Sequence, residues 1–205
     1  RSELLKMILV EAEGLACPFP VIEAKKALRI SGEKDVVVRV DNSVAVSNLQ
    51  RLAESMQREH SLKTVAENLF EVTIMGGGAE STDTAVQEEV PVADTSEYVV
   101  QISSNVMGAG NDGLGAILMK SFVYSLTEQD CLPTALVFYN TGVELTCEDS
   151  PVLADLKTLE EAGVSIISCG TCLDYLKIKE NLAIGEIGNM YMITELLRSY
   201  FTLRP

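Results

Sequence analysis

From Met7 the chain runs Met-Ile-Leu-Val before its first acids, an apolar stretch of strand length. Past Pro18 the apolar residues return as Val21, Ile22, Ala24, Ala27 and Leu28, spaced for one face of a helix. Residues 35–40 read Asp-Val-Val-Val-Arg-Val, a β-branched run that predicts a strand. Val46, Leu49, Leu52, Ala53 and Met56 recur at helical spacing within residues 44–56. Two further strands, near residues 61–67 and 69–75, follow closely enough to pair as a hairpin. The order β-α-β-α-β-β predicts an α+β two-layer sandwich, one sheet with two helices on a single face.

The pattern then lapses. Residues 80–97 follow three consecutive glycines, show no sustained period and carry six acids and no base. Their charges repel and their apolar residues are too sparse to build a core, which predicts an extended acidic linker. Beyond it strands and helices alternate. Residues 98–103 read as a strand, a glycine-rich turn follows, and a helix is expected over 112–126. Residues 134–139 are a near-continuous apolar run, as a strand covered on both faces requires. Ser150-Pro151 reads as an N-cap and first position for a helix over 152–162, stopped by Gly163. A third strand over 164–168, a short helix, a strand near 190–193 and a terminal helix over 195–201 complete the reading. The domains expected are 7–79, an α+β sandwich, and 98–205, a three-layer α/β domain with a mostly parallel sheet.

Composition narrows the classes. Of 205 residues 47% are apolar and 22% charged, the balance of an ordinary globular protein. A net charge of −14 argues against a nucleic-acid partner, which needs a basic patch. The leading apolar stretch stops at Val10, with Glu11 and Glu13 next, so no secretory signal is expected. No other run has the length for a membrane span, and the expected location is the cytoplasm. Five cysteines in a reducing compartment point to buried thiols, reactive thiols or metal ligands rather than a disulfide framework.

The first candidate thiol is Cys17. Pro18 suits the first position of a helix because its missing N–H would have been unpaired there. Cys17 is then the N-cap, beside the positive end of the helix dipole, a place that favours the thiolate. Pro20 stiffens the same turn. Lys25 and Lys26 lie too far along the helix to touch the sulfur but are placed to attract an anionic partner, while a carboxylate at Glu13 opposes the thiolate. A cysteine that only packs fits the same position. Gly14-Leu-Ala-Cys-Pro-Phe-Pro20, followed by Lys25 and Leu28, resembles the signature of the TusA/SirA-like sulfur carriers over roughly residues 7–79. In that family the cysteine of Cys-Pro-x-Pro holds a persulfide and passes its outer sulfur on. The acids at 11 and 13 depart from the family pattern of Asp followed by an uncharged or basic residue.

The second candidate is Cys169-Gly170-Thr171-Cys172, placed directly after the apolar strand 164–168. Open α/β sheets form their sites at that carboxyl edge. Half of a zinc site, a dithiol redox pair and a sulfur acceptor with a resolving neighbour all fit the spacing. A zinc site needs two more ligands, and only Cys131, Cys147 and His60 remain, with no second paired spacing. Cys169-Gly-Thr-Cys-Leu-Asp174-Tyr175, with Asn111-Asp112 and residues 150–153, resembles the DsrE-like domain of the YedF proteins. These join a TusA-like to a DsrE-like domain through a linker and carry the label of sulfurtransferase-like selenium metabolism proteins. Met7 matches their usual start, so residues 1–6 are expected to be either an extension or an added segment ahead of it.

Other signals are weaker. Residues 108–113 fit G-x-G-x-x-G between a strand and a helix, but the next strand ends Tyr139-Asn140-Thr141-Gly142 without the acid a dinucleotide site requires. Glu148 and Asp149 should keep Cys147 protonated, Cys131 reads as packing, and His60 as a surface residue in a turn. The resulting expectation is a carrier or transferase of sulfur or selenium using Cys17, Cys169 and Cys172, with no cofactor and no metal. Its partners are a cysteine desulfurase or other donor and a downstream acceptor, and resemblance to DsrE-like proteins implies a homo-oligomer. A non-catalytic thiol redox sensor or binding module, and a nucleotide-binding α/β protein using the 108–113 turn, stand as alternatives.

Overall fold

The structure, a computed structural model, describes residues 7–77 and 97–205, and the chain divides into two compact units. Residues 1–6 and nearly all of the expected linker lie outside the described residues.

The first unit runs β1 (Met7–Glu11), α1 (Phe19–Ser31), β2 (Asp35–Val40), α2 (Ser43–Ser55), β3 (His60–Ala66) and β4 (Leu69–Ile74). Its sheet has the order β1-β2-β4-β3, with β1 and β2 parallel and the other pairs antiparallel. Val36, Val38, Val40, Val72 and Ile74 meet Ala24, Ala27 and Leu28 of α1 and Ala45, Val46, Leu49 and Ala53 of α2 in one core. The small alanines let both helices approach the β-branched sheet surface. Val21 and Ile22, expected in the core, are only half-buried, because the inward stripe of α1 runs through Pro20, Ala24, Ala27, Leu28 and Ser31. That stripe keeps the helical spacing but is turned toward the prolines. His60 is not in a turn; it opens β3 opposite Ile74. Asn68 makes the hairpin turn with φ 56°, a left-handed conformation that asparagine tolerates.

The second unit runs β5 (Tyr98–Ile102), α3 (Asp112–Thr127), β6 (Ala135–Phe138), α4 (Leu153–Glu161), β7 (Ser165–Cys169) and α5 (Gly170–Leu176). It ends with β8 (Glu186–Gly188), α6 (Met190–Ser199) and β9 (Phe201–Leu203). All pairs of the five-stranded sheet are parallel, in the order β8-β7-β6-β5-β9. Every residue of β6 is buried, as a strand with both faces covered must be.

The end of the chain departs from the sequence expectation. Residues 190–193, expected as a strand, are the first turn of α6, and the helix expected over 195–201 is its remainder only as far as Ser199, since Phe201 opens β9. Asn189 caps this helix by accepting from the Met192 N–H at 3.0 Å, and Ile193 with Leu196 and Leu197 forms its buried stripe. The two strands around it, β8 and β9, have three residues each and are too short to show a period. α4 begins at Leu153 rather than beside Ser150. Ser150 instead makes a turn, its hydroxyl accepting from the Val152 N–H at 3.3 Å and its carbonyl from the Leu153 N–H at 3.2 Å. Among the described residues no helix is long and apolar enough to cross a membrane.

Candidate functional site

Cys17 stands one position earlier than expected. Pro18 is the N-cap of α1 and the helix begins at Phe19; the Cys17–Pro18 peptide is cis. The Ala16 carbonyl accepts from the Phe19 N–H at 3.0 Å, and the Pro18 carbonyl accepts from Val21 at 3.1 Å and Ile22 at 3.2 Å. This short turn before the helix displaces the proline from the first helical position to the cap. Pro20 sits within the first turn, where a missing N–H costs no intrahelical bond, and its ring is buried.

The thiol is exposed at the mouth of a pocket of about 20 Å³. Pro20 and Val21 of α1 line one side, and Asn42, Val44, Ala45 and Asn48 the other. Asn42 caps α2 by accepting from the Ala45 N–H at 2.8 Å. Two helices therefore begin beside one sulfur, and residues of both starts line its pocket. The Asn48 side-chain amide donates to Cys17 Sγ at 3.8 Å. Neither asparagine was singled out from sequence: Asn48 lies inside a helical repeat, where an amide looks like any outward-facing residue.

The acids near this loop are held elsewhere. Arg39 lies 2.9 Å from Glu71 and 3.8 Å from each of Glu11 and Glu13, so the charge of Glu13 is met by a guanidinium. A hydrogen bond from Arg39 holds the Glu71 carboxyl below the ordinary range, with Lys63 adding to it. The Asp41 carboxyl is likewise held low, first by Asn42 and then by the Gly14 N–H, which it accepts at 2.8 Å. That bond ties the turn carrying Cys17 to the start of α2. Lys25 is half-buried on α1, and Lys26 pairs with Glu23 at 3.4 Å, so neither belongs to the pocket lining.

In the second unit Cys169 ends β7 as the N-cap residue of α5, and Cys172 follows within the first turn. Cys169 is 1% exposed, while Cys172 is half-buried. The Asn140 backbone N–H donates to Cys172 Sγ at 3.1 Å. Burial pushes the Cys172 thiol up, contact with Cys169 pushes the same way, and the Asn140 bond pulls it back. Asn140 has φ 51° and opens a 3-10 turn, Asn140–Thr146, directly after β6. The strand end that lacks the dinucleotide acid thus supplies a backbone donor to the thiol. The cysteines sit on the carboxyl edge at β7, whereas the strand order switches between β5 and β9.

The other expected residues have structural places. A Cβ at Gly170 would lie 2.8 Å from Ile187 Cγ2, so a larger residue there would have to displace that side chain. Thr171 is exposed, and Asp174 pairs with Lys179 at 3.1 Å near the end of α5. Asn111 caps α3 by accepting from the Leu114 N–H at 2.9 Å, and Asp112 is its exposed first residue. Within the 108–113 turn Gly108 and Gly110 have φ 77° and 123°, left-handed positions that suit glycine. Cys147 is buried, its thiol donating to the Val143 carbonyl at 3.4 Å. The thiol is pushed up as expected, yet burial is the first cause and Glu144, not Asp149, joins Glu148. Cys131, expected to pack, is exposed at a cavity of about 560 Å³ between α3, β5 and β9. Among the described residues no cluster of three or more His, Cys, Asp or Glu is arranged to hold a metal ion.

Residues 8–75 match the family described as Sulfurtransferase TusA, and residues 110–203 the DsrE/DsrF-like family. A SirA-like protein from Desulfitobacterium hafniense is 44% identical over 35% of this chain and 99% of its own, with a TM-score of 0.34. The ychN protein from E. coli is 18% identical over 53% of this chain and 98% of its own, with a TM-score of 0.43. A protein of unknown function from Methanobacterium thermoautotrophicum is 20% identical over 53% of this chain and 98% of its own, with a TM-score of 0.41. No curated protein matches the chain. The signature around Cys17 and the β-α-β-α-β-β unit that carries it lie within the first family match, and the Cys169–Cys172 pair lies within the second. The chain belongs to the TusA/SirA-like sulfur-carrier family, with a DsrE-like unit joined after it.

Proposed function

We propose that the protein relays sulfur or selenium at the persulfide level, from Cys17 to the Cys169–Cys172 pair. The observation that carries this reading is the placement of the exposed Cys17 thiol where two helices begin and an amide donor reaches the sulfur. In loading, the Cys17 thiolate attacks the outer sulfur of a donor persulfide. A bond forms to Cys17 Sγ, the donor S–S bond breaks, and the electron pair leaves with the donor thiolate. The exchange is balanced between thiol and persulfide and needs no oxidant. Selenium at the same oxidation level follows the same steps. A cysteine desulfurase is the donor class that fits, and the cytoplasm is the compartment in which five thiols stay reduced.

At the second station Cys172 is the acceptor, because Cys169 is buried and Cys172 is the more accessible of the two. The 18 residues expected as an acidic linker separate the two stations, and transfer within one chain and between subunits of a homo-oligomer both fit the proposal. The test is incubation with a cysteine desulfurase and cysteine, followed by intact and peptide mass. One added sulfur on the Cys17 peptide, absent in Cys17→Ser, is expected. No adduct under conditions that load a control carrier rejects the proposal.

A further inference from the structure

We infer that Asn48 holds the outer chalcogen atom of loaded Cys17 in the pocket between the first turns of α1 and α2. This rests on the persulfide reading above and adds to it the residue and the space that receive the transferred atom. The pocket measures about 20 Å³. A cavity of about 10–15 Å³ on this measure admits one water, so the space suits one sulfur or selenium atom.

The amide is the group suited to that atom. Its distance of 3.8 Å to Sγ is long for a hydrogen bond to the unloaded thiol. Asn48 lines the same pocket as Cys17, so an atom bonded to Sγ at about 2.05 Å and seated there shares that space with the amide. The other amide nearby is already engaged: Asn42 accepts from Ala45 at 2.8 Å and donates to Asp41 at 3.1 Å. Val21, Val44 and Ala45 supply an apolar wall that suits a large, polarisable atom. A perthiolate is anionic at its outer sulfur, and both helix starts favour negative charge there. When an acceptor thiolate attacks the outer atom, its bond to Sγ breaks and the electron pair returns to Cys17 Sγ. The Asn48 amide, within reach of Sγ, supports the departing thiolate.

The experiment uses the full chain as wild type, Asn48→Asp and Asn48→Ala. Each is loaded with a cysteine desulfurase and cysteine, then chased with a small thiol. The single-sulfur adduct on the Cys17 peptide is followed by mass, and folding by circular dichroism. Asn48→Asp, which replaces a donor with a carboxylate, is expected to cut the adduct's occupancy or half-life about tenfold, the effect of one charge-assisted hydrogen bond. Asn48→Ala is expected to fall between it and wild type, and decides the matter if the aspartate variant does not fold. Wild type that loads, with both variants within about twofold of it, overturns the role of Asn48 and leaves the persulfide reading standing. Wild type that does not load beside a loaded control carrier overturns the persulfide reading itself.

Discussion

At the scale of single residues the two stations differ in what surrounds the sulfur. Cys17 lies open to solvent beside helix starts, whereas Cys172 is partly buried against Cys169 and the Asn140 N–H. Burial and Cys169 both raise the Cys172 thiol, so it holds less thiolate at neutral pH than an ordinary cysteine. Alkylation at Cys172 should therefore be slow at neutral pH and quicken on the alkaline side of the usual thiol range. Removing Cys169 takes away two of the raising influences. Cys169→Ala is expected to speed neutral-pH alkylation of Cys172 by up to about tenfold, one pK unit's worth, as read by peptide mass against time. An unchanged rate would mean that burial and the Asn140 bond set the thiol without Cys169. Cys147, buried and flanked by Glu144 and Glu148, should be modified last of all.

At the scale of elements the second site depends on how closely the turn after β6 approaches β5. The would-be Cβ of Gly142 lies 2.3 Å from the Ile102 carbonyl oxygen, a backbone atom that cannot rotate away. Gly142→Ala must push the Asn140–Thr146 turn outward, and with it the N–H that reaches Cys172. We expect a loss of about 2–3 kcal/mol in denaturant unfolding and a change in Cys172 alkylation in the same variant. Retained stability with altered alkylation would show that the turn yields without unfolding its unit. The first site has an equivalent brace in the Asp41–Gly14 bond, which ties the Cys17 turn to the loop before α2.

At the scale of the whole molecule the two units carry different charge as well as different folds. Residues 98–205 contain six bases and thirteen acids, whereas residues 1–79 are nearly balanced. A relay between the stations predicts a defined order of labelling. Loaded from a desulfurase with labelled sulfur, the intact chain should show label at Cys17 first and at Cys172 later. In Cys172→Ser the first label should persist and the second should be lost. Label arriving at Cys172 before Cys17, or in a Cys17→Ser chain, would reverse the proposed direction or remove the first station from it.

Local pattern was enough for much of this protein. The β-branched run of β2, the helical repeats of α1 and α2 and the apolar β6 announce themselves because each buries a face long enough to show a period. Cys17 and the Cys169–Cys172 pair were legible for a related reason: prolines, glycines and close cysteine spacing are local and uncommon. Three-residue strands such as β8 and β9 were not, since nothing that short has a period, and α6 was divided wrongly as a result. The shift of Cys17 to one residue before the cap came from a turn made by Ala16, which no propensity announces. Asn48, Asn140 and Arg39 acquire their meaning only from partners 31, 32 and 32 positions away. Sequence by itself singled out the candidate thiols, because prolines, glycines and a second cysteine close by are local signals. Tertiary structure decided what surrounds each sulfur, because the neighbours of a folded side chain come from distant elements brought together by the sheet.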